Sequence, residues 1–196
     1  MPNKIILKKK ILNFDKKISI PGDKSLSIRW VLISSLASGI SKAKNLLMSE
    51  DVEASIKAVR KLGVKVLIKG GVCTIHGVGM KGYKYKKNLI INAQNSGTLG
   101  RLISGILIDT PFPIKIIGDK SLSKRDFSRV IKPLRLFGVN IESKNNLLPL
   151  KIRGTDLLRP IKYNENIGSA QVKTCIILSA LNTPGTTVIN SKISRN

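Results

Sequence analysis

Histidine is almost missing from this sequence: His76 is the only one in 196 residues, and cysteine is nearly as scarce, with Cys73 and Cys175. Two thiols cannot build a disulfide framework, and neither stands at metal-ligand spacing from other donors, so a zinc site lacks its ligands. The single histidine lies in GGVCTIHGVG (70–79), a Gly-rich, strand-like stretch where a hairpin or surface role fits better than catalysis. Nucleophile systems built on Ser-His-Asp or Cys-His are therefore unsupported. Aromatic residues make up 4%, too few for a base-stacking surface. Acids number 11, and none has a motif claim to proton transfer. No apolar run approaches the roughly 20 residues that span a bilayer. The basic start, MPNKIILKKKILNF, lacks a long apolar core and a small-residue cleavage site. It reads as no signal peptide, and a cytoplasmic protein without membrane partners is expected.

What is abundant is positive charge. Lys and Arg total 35, for a formal net charge of +24. Nucleic-acid binding is the reflex reading. Against it, the lysines are scattered along the chain in short clusters such as Lys8-Lys9-Lys10 and KGYKYKK (81–87). Richness in Ile, Lys and Asn is also what a compositional bias of the source produces. The excess charge still attracts small anions. The apolar fraction of 42% and the length allow one large domain or two small ones with a real core.

The hexapeptide GDKSLS occurs twice, as GDKSLSIR (22–29) and GDKSLSKR (118–125). A different repeat organises the chain. Arg29, Arg101 and Lys173 stand 72 residues apart, inside KSLSIRWVLISSLASGISKAKN, NSGTLGRLISGILIDTPFPIKI and GSAQVKTCIILSALNTPGTTVI. Each has small polar residues, a basic residue, an apolar helical run, a turn and an extended segment. A second helix comes next in the first two units, SEDVEASIKAVRKLGVKV and KRDFSRVIKPLRLFGVNI. Gly63 and Gly138 are natural left-handed residues past those helices, and Ser49 and Asp51 offer N-caps. Further extended segments are VCTIHGV (72–78) and LLPLKIRG (147–154). The alternation predicts an α/β or α+β architecture of modules about 70 residues long. Two modules look complete and the third stops after its first helix and strand, so truncation is expected. The first GDKSLS opens the first helix of its module, and the second is expected to open the second helix of the next.

Three module-opening helices begin with Lys24-Ser25-Leu26-Ser27, Asn95-Ser96-Gly97-Thr98 and Gly168-Ser169-Ala170-Gln171. Helix N-termini offer unpaired N–H groups and the positive end of the macrodipole, so anions bind there. Lys24, Arg29, Arg101 and Arg125 would add charge, and arginine grips carboxylates or phosphates with two bonds. Ordinary capping explains the same Ser, Thr and Asn residues, and both readings stand at this point. A nucleotide P-loop fails on spacing, since no Gly-x-x-x-x-Gly precedes Lys24. No Gly-x-Gly-x-x-Gly opens a helix either.

PGDKSLSIR (21–29), LLMSEDVEASIKAVRKLGV (46–64), NSGTLGRL (95–102), GDKSLSKRDFSRVIKPLRLFGV (118–139) and GSAQVK (168–173) resemble, in order, the motifs of the 5-enolpyruvylshikimate-3-phosphate synthase family. The resemblance covers essentially the whole chain, whereas family members run to more than twice this length. It implies a truncated pseudo-threefold domain of repeated βαβαββ modules, part of an enolpyruvyl transferase-like inside-out α/β barrel. Residues 1–20 would be a strand and crossover belonging to the other, missing domain, and 21–196 most of the N-terminal substrate-binding domain.

The implied reaction transfers the enolpyruvyl group of phosphoenolpyruvate to the 5-hydroxyl of shikimate 3-phosphate, through a tetrahedral intermediate and without metal or organic cofactor. By matched position, Lys24, Ser25, Arg29, Ser169, Ala170 and Gln171 would bind shikimate 3-phosphate. Lys24, Gly97, Arg125 and Gln171 would bind phosphoenolpyruvate, and Asn95, Thr98 and Arg101 would shape the site. The second hexapeptide would mainly carry Arg125, with Lys120 and its serines as caps. Ile28 stands where the family commonly has His or Asn, and Ala170 replaces the second serine of some members. Gly97 would leave room beside phosphoenolpyruvate, the feature associated in the family with glyphosate sensitivity.

The family's acid/base carboxylates would lie in the missing half, so the chain alone is expected to be inactive, and the full-length enzyme a monomer. The related UDP-N-acetylglucosamine enolpyruvyl transferase is the alternative enzyme, but Cys73 and Cys175 lack its reactive-loop context. A basic nucleic-acid-binding module is the alternative from another class.

Overall fold

The computed structural model describes residues 15–191, together with Ile6, Lys8 and Asn13. The first module runs α1 (Lys24–Leu36), β1 (Ile40–Lys44), α2 (Glu50–Lys61), β2 (Lys65–Lys69) and β3 (Val72–His76). The second runs β4 (Ile90–Asn92), α3 (Gly97–Ile106), β5 (Ile114–Ile117), a 3-10 turn (Leu122–Lys124), α4 (Ser128–Leu136), β6 (Asn140–Glu142) and β7 (Leu150–Arg153). The third contributes β8 (Lys162–Glu165), α5 (Ala170–Ala180) and β9 (Val188–Ser191).

Sheet topology confirms that these are repeats. The first sheet has the order β1-β3-β2 and the second β4-β5-β7-β6, so β1, β3 and β2 correspond to β5, β7 and β6. A parallel pair opens each later module, β4 with β5 and β8 with β9. Among the described residues, no strand covers the equivalent edge of β1.

The outer helices end alike because their sequences end alike. In α2, Glu50, Asp51 and Glu53 occupy the first turn and Arg60 and Lys61 the last, matching the helix dipole. Gly63 then takes φ +90° and Gly138, after α4, +101°. Each lies in a Schellman turn, with Val64 N donating to Val59 O (3.1 Å) and Val139 N to Leu134 O (3.2 Å). Arg60 reaches forward to Val66 O (2.7 Å), and Arg135 to Ile141 O (2.8 Å). One side chain thus pins each helix to the strand after it.

The helices α3 and α5 form the centre. Nearly every residue of α3 is buried, as expected of a helix apolar all round. A β-carbon on Gly105 would lie 2.4 Å from Cys175 O, so the two helices touch backbone to backbone there, and Ser179 Oγ donates to Gly105 O (3.2 Å). Apolar side chains of all three modules, from Ile28 and Val52 through Phe127 and Phe137 to Cys175 and Ile176, merge into one core. Burial of this kind contributes about 25 cal/mol for each Å² of apolar surface removed from water.

Two expectations need correction. The second GDKSLS does not open a helix: it forms the 3-10 turn, and α4 begins only at Ser128. Its Leu122 is fully buried, whereas Leu26 in the first copy is 66% exposed. Docking Leu122 into the core bends the chain away, leaving Arg125 extended (φ −84°, ψ 140°). Ser49 stands at the N-cap of α2 but makes no capping bond with its side chain, and Asp51 lies inside the first turn. The expectation for residues 1–20 falls largely outside the described residues; Asp15–Ile20 form no helix or strand and are exposed.

Candidate functional site

The starts of α1, α3 and α5 meet at one end of the fold, each capped by a short polar side chain. Asp23 Oδ1 accepts from Leu26 N (2.7 Å) at α1, Ser96 Oγ from Leu99 N (3.2 Å) at α3, and Ser169 Oγ from Val172 N (3.4 Å) at α5. The capping reading therefore holds for Ser96 and Ser169, whereas α1 is capped by Asp23 and not by a serine. It leaves Lys24, Ser25, Gly97, Thr98, Ala170 and Gln171 just beyond the caps, at the positive helix ends.

Side chains bridge the helix starts. Gln171 on α5 accepts from Arg101 Nη1 (2.7 Å) and donates to Thr98 Oγ1 (3.0 Å), so one amide ties α5 to α3 at two points. Arg29 on α1 folds back to Ser25 O (3.2 Å) and reaches Thr174 on α5 (3.4 Å). Asn95 donates to Asp119 Oδ2 (2.8 Å), fastening the second hexapeptide to the start of α3. That turn brings Arg125 to the same place. A β-carbon built on Gly97 would sit 2.8 Å from Arg101 Nη1 and 3.4 Å from Arg125 Nη1. Glycine is what leaves room for two guanidinium groups beside a helix N-terminus.

Positive charge predominates here, although Asp126 acts on Arg101 and Asp119 on Arg125. Among the described residues, none of Arg29, Arg101 and Arg125 is ion-paired with a carboxylate. Burial, and after it the nearby Arg125 and Arg129, pushes Arg101 below its ordinary pKa. Its guanidinium also lies over the Phe127 ring (5.0 Å) and donates to Asp126 O (3.3 Å). Crowded cations of this kind are complementary to an anion with several oxygens. Nearby carboxyls are held ionised. Hydrogen bonds from Asn95 and then from the Leu122 amide hold Asp119 low, and Ser128 holds Asp126 low. Neither can act as a proton donor near neutrality.

Lys24 is the exception among the cations, paired with Asp51 at 3.1 Å with its own side chain half exposed. Exposed pairs contribute about 0–1 kcal/mol, so a bound anion can displace this one. Sequence marks Asp51 only as a helix-start residue; its partnership with Lys24 depends on how α2 packs against α1 and has no sequence signal. Phe127 beneath Arg101 has none either. No cluster of metal-ligating side chains occurs among the described residues, and Cys73 and Cys175 are free and buried.

The family model described as EPSP synthase (3-phosphoshikimate 1-carboxyvinyltransferase) matches residues 8–196. A curated relative from Ruthia magnifica subsp. Calyptogena magnifica, named 3-phosphoshikimate 1-carboxyvinyltransferase, is 45% identical over 172 residues. The match covers 88% of this chain and 39% of that protein. A relative of the same name from Streptococcus pyogenes serotype M4 is 44% identical over 182 residues, covering 91% and 42%. The solved structure of EPSP synthase from Acinetobacter baumannii superposes with a TM-score of 0.86 at 38% identity, covering 92% of this chain and 41% of that one. The chain thus spans about two fifths of the length of the relatives it matches.

Proposed function

The chain belongs to the EPSP synthase family, and from that premise we propose that it forms the substrate-positioning face of an enolpyruvyl transferase. The substrates would be phosphoenolpyruvate and shikimate 3-phosphate, and the products 5-enolpyruvylshikimate 3-phosphate and phosphate. The bridge of Gln171 to both Arg101 and Thr98 carries this reading, because it places a polar amide between two helix starts beside arginines that form no ion pair among the described residues.

In this reading, Lys24, Ser25 and Arg29 on α1, with Ser169, Ala170 and Gln171 on α5, hold shikimate 3-phosphate. The gap at Gly97 admits phosphoenolpyruvate, whose charges meet Arg125, Lys24 and Gln171, while Asn95, Thr98 and Arg101 fix the shape. Catalysis here is orientation of two anions and stabilisation of charge on the tetrahedral intermediate. The reaction also needs a proton delivered to the methylene carbon and one removed from the 5-hydroxyl. Asp119 and Asp126 are held ionised and do not supply a proton. The family resemblance implies that proton transfer belongs to a part of the enzyme outside this chain. A cytoplasmic monomer that uses no cofactor and binds no nucleic acid completes the proposal. No helix among the described residues is long and apolar enough to cross a membrane.

Calorimetric titration with shikimate 3-phosphate tests the site. The chain should bind, and the Lys24→Ala/Arg29→Ala double variant should lose most of that affinity; undiminished binding sinks the proposal. Mixed with both substrates, the 196-residue chain should release no phosphate. Measurable release would show that it holds the acid–base groups after all.

A further inference from the structure

The 72-residue repeat aligns Glu165, at the end of β8, with Ala93 and Pro21, which precede the other two helix starts. Only the third module puts a carboxylate there, and Glu165 is 2% exposed. Its oxygens point forward along the chain, toward the start of α5. Oε1 accepts from Ile167 N and Oε2 from Ser169 N, both at 3.1 Å, with Ser191 Oγ at 3.4 Å from Oε2. No lysine or arginine forms an ion pair with it among the described residues. Two amides and the positive end of α5 are what stabilise its charge.

We propose that Glu165 is a positioning residue for the shikimate 3-phosphate subsite: its carboxylate fixes the turn at 166–169 so that Ser169, Ala170 and Gln171 face the ligand; this rests on the function proposed above. The turn contains Gly168 at φ +70°, and among the described residues no strand pairs with 166–169, so the carboxylate supplies what a ladder would. Because Ser169 N–H is already given to Glu165, the ligand is left the Ala170 and Gln171 amides and the Ser169 hydroxyl. A buried negative charge near a phosphate subsite would by itself weaken anion binding. Geometry outweighs this, because the charge is already engaged by two N–H donors.

The test is an amide-resolved NMR titration of the chain with shikimate 3-phosphate, using the wild type, Glu165→Gln and Glu165→Asp. Gln removes charge and turns an N–H donor toward an amide; Asp keeps charge but withdraws it by one methylene. Both variants should bind about tenfold more weakly, a factor equivalent to about 1.4 kcal/mol. Ligand-induced shifts at Ser169–Gln171 should shrink, while those at Lys24 and Arg29 persist. A merely structural role would reduce all these shifts together, and that uniform loss overturns the proposal. Tighter binding by Glu165→Gln also overturns it, because charge repulsion would then dominate. Unchanged binding by both variants refutes the role of Glu165 alone, whereas a wild type that does not bind refutes the underlying function and this inference with it. If Glu165→Gln does not fold, Glu165→Asp carries the same comparison.

Discussion

Gly97 shows how one missing methyl group sets a site. The nearest atom to its absent β-carbon is Arg101 Nη1 at 2.8 Å, the far end of a flexible side chain. Gly97→Ala should therefore keep the helix, since alanine is the better helix former, and displace the guanidinium instead. The Arg101–Gln171 bond (2.7 Å) would be the casualty. Because the new methyl also fills the gap that admits phosphoenolpyruvate, that ligand's affinity should fall by at least about tenfold, with a smaller loss for shikimate 3-phosphate, which shares only Gln171 of the disturbed residues. Calorimetry with each ligand separates the two. Acid titration reports on a second pair of residues. Asp119 and Asp126 have folded pKa values below their ordinary 3.8. Their stabilisation is present above that value and lost as pH falls through the folded values. The urea midpoint should drop below about pH 4, and Asp119→Asn/Asp126→Asn should flatten the drop; an unchanged profile would refute the assignment.

At the scale of elements, the two GDKSLS copies make the same local start and then part. In both, the aspartate caps an amide three residues on, Asp23 to Leu26 and Asp119 to Leu122, each at 2.7 Å. Capping is a local property and is legible in the sequence, as are the 72-residue period, the inner helices and the glycines ending α2 and α4. The path of the chain beyond each cap is not legible, because it depends on whether Leu26 or Leu122 meets a core. Hydrophobic burial of Leu122 overrides the propensity of SLSKRDFSRV to continue as one helix. The Lys24–Asp51 pair and the turn around Glu165 are hidden for a related reason: they join residues through packing, not spacing. Resemblance identifies the site's residue types, but not their bonds to one another. A direct consequence separates the copies. Lys24→Ala should weaken shikimate 3-phosphate binding by roughly 10- to 100-fold, as loss of a charge-assisted contact implies. Lys120→Ala, in the exposed turn, should leave it unchanged, and equal losses would show that both copies bind ligand.

At the scale of the whole molecule, the modules share one core yet close it unevenly. The later modules each open with a parallel strand pair, while β1 keeps an uncovered edge among the described residues. Along it, Ile40 is 61% exposed, and Lys42 and Lys44 are exposed too. An unpaired row of amides and carbonyls invites strands from other molecules, and lysine is a common means of discouraging them. The large positive charge thus acquires a second consequence, for colloidal behaviour. Copies repel one another in dilute buffer, where charges act over about 10 Å at 0.1 M ionic strength, and lose that protection near 1 M, where the range is about 3 Å. Light scattering should accordingly show single molecules at low salt and growing assemblies at high salt. Lys42→Thr/Lys44→Thr should begin to assemble without added salt. The same lysines would then keep this protein dissolved and free to meet its small anionic ligands.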